Sequence, residues 1–429
     1  MGVVSQGGDA LADRIALEYA ESSVKLPDAV ASAAARRAAL SAFARVGVPT
    51  QREDVWKYSN LRALERARFA PAHPASGSDA IAAAPAPIPG YARYVFIDGQ
   101  CAADLSHSTT AGGFLIRSAL ERRPQRAHEA HLSPNHRFAW LNEAFATDIA
   151  SIGIPPDLEM PACIELVFIA TSDAARGASY PRVEVHVGAD SELCLIERHL
   201  SALSAQNLVN SVVRLALERG AVCQHHRIQQ LGSSATWLDT LDAHVGEEAN
   251  YQLRQVAFGA ESSRSTLEIE LAGERAQVSL DAVALASGGQ VQDTYALVKH
   301  SATHTKTRER FRGIAGERSR AAFNGKIVVA REARGADSQQ SLRGLISGTQ
   351  AEVDVRPQLE IYTDDVRCAH GATVGKLDDA MLFYLLSRGL DRDAADRLLK
   401  WAFIADVVAR IEVSALRNEL EAALARRVE

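Results

Sequence analysis

Five cysteines in 429 residues is a small number, and Cys101, Cys163, Cys194, Cys223 and Cys368 are scattered. Their count is odd and no Cys-x-x-Cys pair occurs, so neither a disulfide framework nor a structural zinc site is signalled. Aromatic residues are equally sparse, at 6% of the chain. The core must therefore rest on Ala, Val, Leu and Ile. Basic runs and basic–aromatic interleaving are missing and the net charge is −6, which excludes nucleic acid as an expected partner. No apolar stretch approaches the roughly 18 residues that span a bilayer; Cys163 to Ala170 is among the longest. The first residues carry no basic segment followed by an apolar run, so a reducing cytoplasm is the expected location. A Gly-x-x-x-x-Gly-Lys-Ser/Thr loop is also missing, and Gly288-Gly289 is too short to cradle phosphate.

What is present falls into three periods. Up to about residue 150 the pattern is helical: Asp28 is placed to cap a helix running to Arg45, with Gly47 and Pro49 as stop signals. Ser133-Pro134 opens a second helix with Phe138, Leu141 and Phe145 at helical spacing. Between them Pro71 to Gly90 reads as a Pro/Ala-rich linker, and Tyr91 to Asp98 could begin a strand.

From Cys163 to Gly375 the period becomes two. Val183–Val187, Leu193–Glu197, Val212–Leu217, Leu267–Leu271, Gln277–Ala286 and Lys326–Val329 read as strands. Glycines at 188, 220, 232, 246, 259, 273, 288, 313 and 325 read as turns. No helical stretch intervenes, which excludes a βαβ fold and leaves a sandwich, a barrel or a solenoid. Two hundred residues of short strands suit a solenoid best, since it grows by adding coils. After Gly375 helices return: Asp378 caps one ending near Gly389, Asp391 caps a longer one carrying Trp401, Phe403 and Ile404, and Ser414 to Arg427 forms another. Their apolar surface fits either packing on the strand region or docking of a partner.

The densest chemistry lies in Tyr362-Thr363-Asp364-Asp365-Val366-Arg367-Cys368-Ala369-His370-Gly371. Cys368 and His370, two apart, share one face of a regular strand, and thiolate and imidazole both suit soft metals. Asp364 and Asp365 would point to opposite faces, so a solvated turn explains them better than an acid–base pair. His225-His226 and the His300/His304 pair have no Cys or carboxylate at ligand spacing and read as surface or stacking residues. Trp56 and Tyr58 read as packing residues of the N-terminal region.

Several segments together resemble the SufB/SufD family of the SUF iron–sulfur cluster assembly machinery, on its SufD branch. They are Pro357-Gln358-Leu359-Glu360-Ile361, Asp364 through Gly375, and Phe383-Tyr384-Leu385-Leu386-Ser387-Arg388-Gly389. Glu53 through Leu61, and Phe311-Arg312-Gly313-Ile314-Ala315 through Phe323-Asn324-Gly325-Lys326-Ile327, match as well. No cysteine lies between Arg331 and Gln350, where the SufB branch carries one, which favours the SufD branch.

The resemblance implies a right-handed parallel β-helix at 156–376, between an N-terminal helical domain at 1–155 and a C-terminal helical domain at 377–429. It implies a non-catalytic scaffold that pairs with a SufB-like paralogue and binds the ABC-type ATPase SufC through its C-terminal helices. For that docking Phe383, Tyr384, Trp401, Phe403 and Ile404 are the expected contacts. It also implies a transient iron–sulfur cluster shared with the partner, with His370 as metal-facing residue and Cys368 beside it. A flavin, if any, is expected on the assembled complex rather than on this chain alone. A homodimeric adaptor without cluster chemistry and an exported-type, carbohydrate-active β-helix enzyme are the competing readings. The few aromatics weigh against the enzyme, which would stack sugars on them.

Overall fold

The computed structural model describes residues 6–72, 82–107, 115–118, 134–172, 175–202 and 206–427. Helices Gln6–Ser22 and Ala33–Val46 open the chain. The cap of the second is Ser32 rather than Asp28: its hydroxyl accepts from the Ala35 N–H at 3.2 Å. Gly47 then closes the helix with a φ of +73°, a conformation open to a residue without Cβ. A single turn at Pro134–His136 leads into helix Arg137–Phe145, whose Phe138, Leu141 and Phe145 are buried.

The strands are β1 (Ala92–Ile97), β2 (Gln100–Cys101), β3 (Leu115–Ser118), β4 (Ala150–Ile154), β5 (Ala162–Ala170) and β6 (Arg182–Val187). They continue with β7 (Glu192–Ser201), β8 (Leu208–Leu217), β9 (Val222–Gln230), β10 (Thr236–Val245), β11 (Asn250–Ala257), β12 (Ser262–Leu271) and β13 (Gln277–Ala286). The last are β14 (Val291–His300), β15 (Lys306–Gly316), β16 (Arg320–Val329), β17 (Ala336–Ser347), β18 (Glu352–Ile361) and β19 (Val366–Gly375). From β4 onward they alternate between two sheets, and each pairs in parallel with the strand two places on. The result is a flattened parallel β-solenoid of about seven turns, with helices at both termini.

One expectation is met and one is corrected. The segment Tyr91 to Asp98 does begin a strand, because β1 lies in the ten-stranded sheet beside β5, in register Phe96↔Phe168. The alternation of Ala92–Ile97 suffices for this, and the two rings stack with centroids 5.0 Å apart. Gly313 and Gly325, read as turns, lie inside β15 and β16. A Cβ on Gly313 would stand 2.7 Å from the Phe311 ring, so the glycine makes room for an inward aromatic.

The turns obey a different rule. Asp157, Asp190, Gly220, Glu248, Arg275, His304 and Gly335 all have positive φ and recur roughly every thirty residues. The N–H of each donates to a carbonyl one coil further on, as His304 does to Arg334 at 2.8 Å. The corner stacks through its backbone, and Asp, Glu, Arg and His occupy it as well as glycine.

Residues facing between the sheets form one continuous apolar interior, from Phe96 to Leu342. The outer faces are covered separately. The N-terminal region packs over the nine-stranded sheet through Trp56, Phe138 and Phe145 against Leu208 and Leu238. Helices Arg392–Val408 and Ser414–Ala425 lie on the ten-stranded sheet, where Ile404, Val408, Leu416 and Leu420 meet Ile196, Ile228, Val256 and Ile314. Ile88, near the end of the Pro/Ala-rich stretch, joins that same apolar layer. Asp378 and Asp391 cap their helices as expected, Asp391 Oδ1 accepting from Ala394 N–H at 2.7 Å. No helix among the described residues is long and apolar enough to cross a membrane.

Candidate functional site

The geometry of Cys368 and His370 follows from strand register. Leu253, Leu280, Glu309, Gln340 and His370 occupy one position on successive rungs of the ten-stranded sheet. Leu253 and Leu280 belong to the buried interior, so this is an inward-facing column and His370 is its last, exposed member. A second inward column runs Tyr251, Val278, Thr307, Ser338, Cys368. Cys368 is half-buried and packs against the end of the interior cluster. The alternation in Arg367-Cys368-Ala369-His370 thus brings both side chains to the mouth of the solenoid.

Both columns turn from apolar to polar over the final coils: Leu280 gives way to Glu309 and Gln340, and Val278 to Thr307 and Ser338. Burial pushes the Glu309 carboxyl up to about 7, although the Gln340 amide donates to it. Burial also raises the Cys368 thiol above its ordinary value, and the nearby Asp337 carboxylate acts in the same direction. The thiol is therefore the resting form, which makes Cys368 no nucleophile by itself. Metal or a positive partner group would be needed to favour the thiolate.

β19 pairs with β17 on one side and with no described strand on the other, and β18 likewise ends its sheet. The last rung presents unpaired backbone N–H and C=O groups beside Cys368 and His370. Asp364 and Asp365 lie in an exposed bend before β19, where Asp365 O accepts from Gly335 N–H at 2.7 Å, as a solvated turn requires. Among the described residues no three His, Cys, Asp or Glu side chains converge as a metal site.

The other candidates separate clearly. On helix Asp379–Ser387, Phe383 and Tyr384 are 73% and 55% exposed. Ile404 is wholly buried on the ten-stranded sheet, with Trp401 and Phe403 packed partly against the same layer. Ile404 is thus a packing residue: the solenoid's own outer face covers it. Trp56 is buried, as packing demands.

His225 and His226 are both buried rather than at the surface. His225 faces inward and its Nε2 lies 3.1 Å from Glu197 Oε2, its Nδ1 3.0 Å from the Tyr251 hydroxyl. Sequence spacing hid that carboxylate, because Glu197 arrives from the preceding coil. His300 is enclosed between the Thr305 and Thr307 hydroxyls, at 2.7 and 2.8 Å.

The fold and this rung define the class as a parallel β-solenoid whose last strand, unpaired on one side among the described residues, carries a thiol and an imidazole. The family model for the SUF system FeS cluster assembly SufBD core domain matches residues 168–403, more than half of the chain. The chain therefore belongs to the SufB/SufD family of iron–sulfur cluster assembly proteins and is SufD-like. It is 27% identical to the iron–sulfur cluster assembly protein SufD of Escherichia coli over 395 residues, covering 91% of each chain. A SufBD family protein of Synechocystis is 28% identical over 403 residues, covering 90% of this chain and 88% of that one. The Bacillus subtilis SufB protein matches at 26% over 282 residues, covering 65% of this chain and 60% of its own.

Proposed function

We propose that this chain is a non-catalytic scaffold subunit in the reducing cytoplasm. It pairs through the open end of its solenoid with a SufB-like paralogue, and helix Asp379–Ser387 docks a SufC-like ATPase. In this reading a nascent iron–sulfur cluster, the cargo of the assembly, forms at the mouth of the solenoid against His370, with Cys368 at its side. The observation that carries the reading is the last rung of the ten-stranded sheet, where one thiol and one imidazole face the mouth beside an unpaired strand edge.

An iron–sulfur cluster is ordinarily held by about four thiolate-type ligands, and this rung supplies two at most. The remaining ligands belong to the partner, and a cluster split between two chains is labile, as transfer requires. The test is co-expression with the paralogue and the ATPase, followed by anaerobic purification and iron and sulfide analysis. The complex should carry iron and sulfide that His370→Ala sharply reduces, and cells carrying that variant should lose activity of cluster-dependent enzymes. A stoichiometric, durable cluster on the isolated chain would overturn the proposal, as would unimpaired assembly with His370→Ala. In the second case the homodimeric adaptor reading takes its place.

A further inference from the structure

Glu309 is the carboxyl of the His370 column, two rungs inside the mouth. Its side chain is buried, and its Oε2 accepts from Gln340 Nε2 at 2.7 Å. Its Oε1 has no hydrogen-bond partner among the described residues, and neither has Gln340 Oε1. The Gln340 amide N–H groups are committed to Glu309 and, at 3.1 Å, to the Gly325 carbonyl oxygen. Gly325 faces both side chains: a Cβ there would come within 2.9 Å of Gln340 Nε2 and Glu309 Oε2. The glycine keeps space open beside them.

Other acidic groups of this interior are matched by a guanidinium. Glu197 and Asp239 share Arg227 at 2.9 and 2.8 Å. Glu309 has an amide instead. Two buried oxygens without donors, on adjacent rungs about 4.8 Å apart, are costly unless something positive reaches them. A hard divalent cation accepts carboxylate and amide oxygens together with imidazole. One cavity is lined by Glu309, Gln340 and the exposed His370 together, so an ion has a way in.

We propose that Glu309 and Gln340 form an inner binding station for a divalent cation of the ferrous type, which exchanges ligands with His370 on the next rung. The step is ligand exchange only, with no change of oxidation state. It rests on the reading of His370 as the metal-facing residue of the mouth.

The test uses the full chain under anaerobic conditions with Mn²⁺ as probe, followed by electron paramagnetic resonance and titration calorimetry. Wild type should bind one Mn²⁺ per chain, and the nearly isosteric Glu309→Gln should weaken that binding by more than about tenfold with its melting temperature retained. Should Glu309→Gln melt below the assay temperature, Gln340→Leu, which removes the second oxygen, decides the same question. Mn²⁺ binding unchanged in the variant, or undetectable in wild type, overturns the inner station. The two readings fail separately: unaltered Mn²⁺ binding in Glu309→Gln beside lost cluster assembly in His370→Ala removes the station and leaves the scaffold reading. Normal assembly in His370→Ala removes the scaffold reading whatever the Mn²⁺ result.

Discussion

The guanidinium of Arg264 lies over the face of Trp56, 4.2 Å from the ring centroid, and joins the N-terminal region to the nine-stranded sheet. Arg264 Nη1 also donates to Asp293 Oδ2 at 2.7 Å, its register partner on the next strand, and all three side chains are buried. One residue thus holds a cation–π contact and a buried ion pair together. Arg264→Leu removes both and leaves Asp293 buried without its cation, at an expected cost of about 3–5 kcal/mol. Amide hydrogen exchange over residues 54–64 should accelerate before the solenoid itself opens. Uniform exchange throughout the chain would show that the N-terminal region is not a separable layer.

Inside the solenoid Arg227 spans the two sheets, pairing Glu197 on its own sheet and Asp239 on the other. Burial alone would raise the Glu197 carboxyl, but Arg227, His199 and His225 outweigh it and hold the group well below its usual range. Its contribution to stability is therefore present above the ordinary carboxylate range and fades as pH falls through the lowered folded value. Arg227→Met reverses the sign. A buried Glu197 without its cation titrates above the ordinary value, so the variant should lose stability as pH rises. Melting temperatures of the two proteins should diverge with increasing pH, by an amount matching about 3–5 kcal/mol at neutrality. Parallel curves would mean that Arg227 is not the dominant partner.

His226 gives a second acid-side effect by another route. It is buried beneath the C-terminal helices, neither ring nitrogen has a partner among the described residues, and burial lowers its pKa to about 3. The unfolded chain takes up that proton near pH 6.5 and the folded chain does not, so stability falls as pH drops from about 6.5 towards 3. His226→Leu keeps the volume and removes the titration. It should flatten this part of the pH profile, recovering a few kcal/mol near pH 4. An unchanged acid limb in chemical denaturation would show that the ring is protonated in the folded state.

How much of this was legible in the sequence depends on whether side chains or backbone carry the signal. The strands were, because Leu193–Glu197 and Leu267–Leu271 alternate as half-buried strands must. The caps at Asp378 and Asp391 were, because a carboxylate two or three residues before free N–H groups has few other uses. The coil repeat was not: its marker is a positive φ held by Asp, Gly, Glu, Arg and His in turn, stabilised by backbone hydrogen bonds. The shared face of Cys368 and His370 followed from their spacing. The polar column behind them did not, since Glu309, Gln340 and His370 are neighbours only through a register that wraps around the coil. Ile404 was misplaced for a related reason, because an apolar helix stripe does not say whether its own solenoid or another chain covers it.

The C-terminal helices allow those two alternatives to be separated by substitution. Met381 and Phe383 are 59% and 73% exposed on one short helix, whereas Ile404 is fully enclosed. Phe383→Asp removes no buried contact and should leave the melting temperature unchanged, since surface changes stay within about 0.5 kcal/mol. If this helix docks the ATPase, the same substitution should abolish co-purification of that subunit. Ile404→Asp places a carboxylate against Ile228 and Val256 and should release the tail from the ten-stranded sheet, lowering stability by more than about 4 kcal/mol. Loss of ATPase binding in both variants, with loss of stability in the second alone, identifies the exposed helix as the docking face. Retention of the ATPase by a folded Phe383→Asp chain would instead move the contact away from helix Asp379–Ser387.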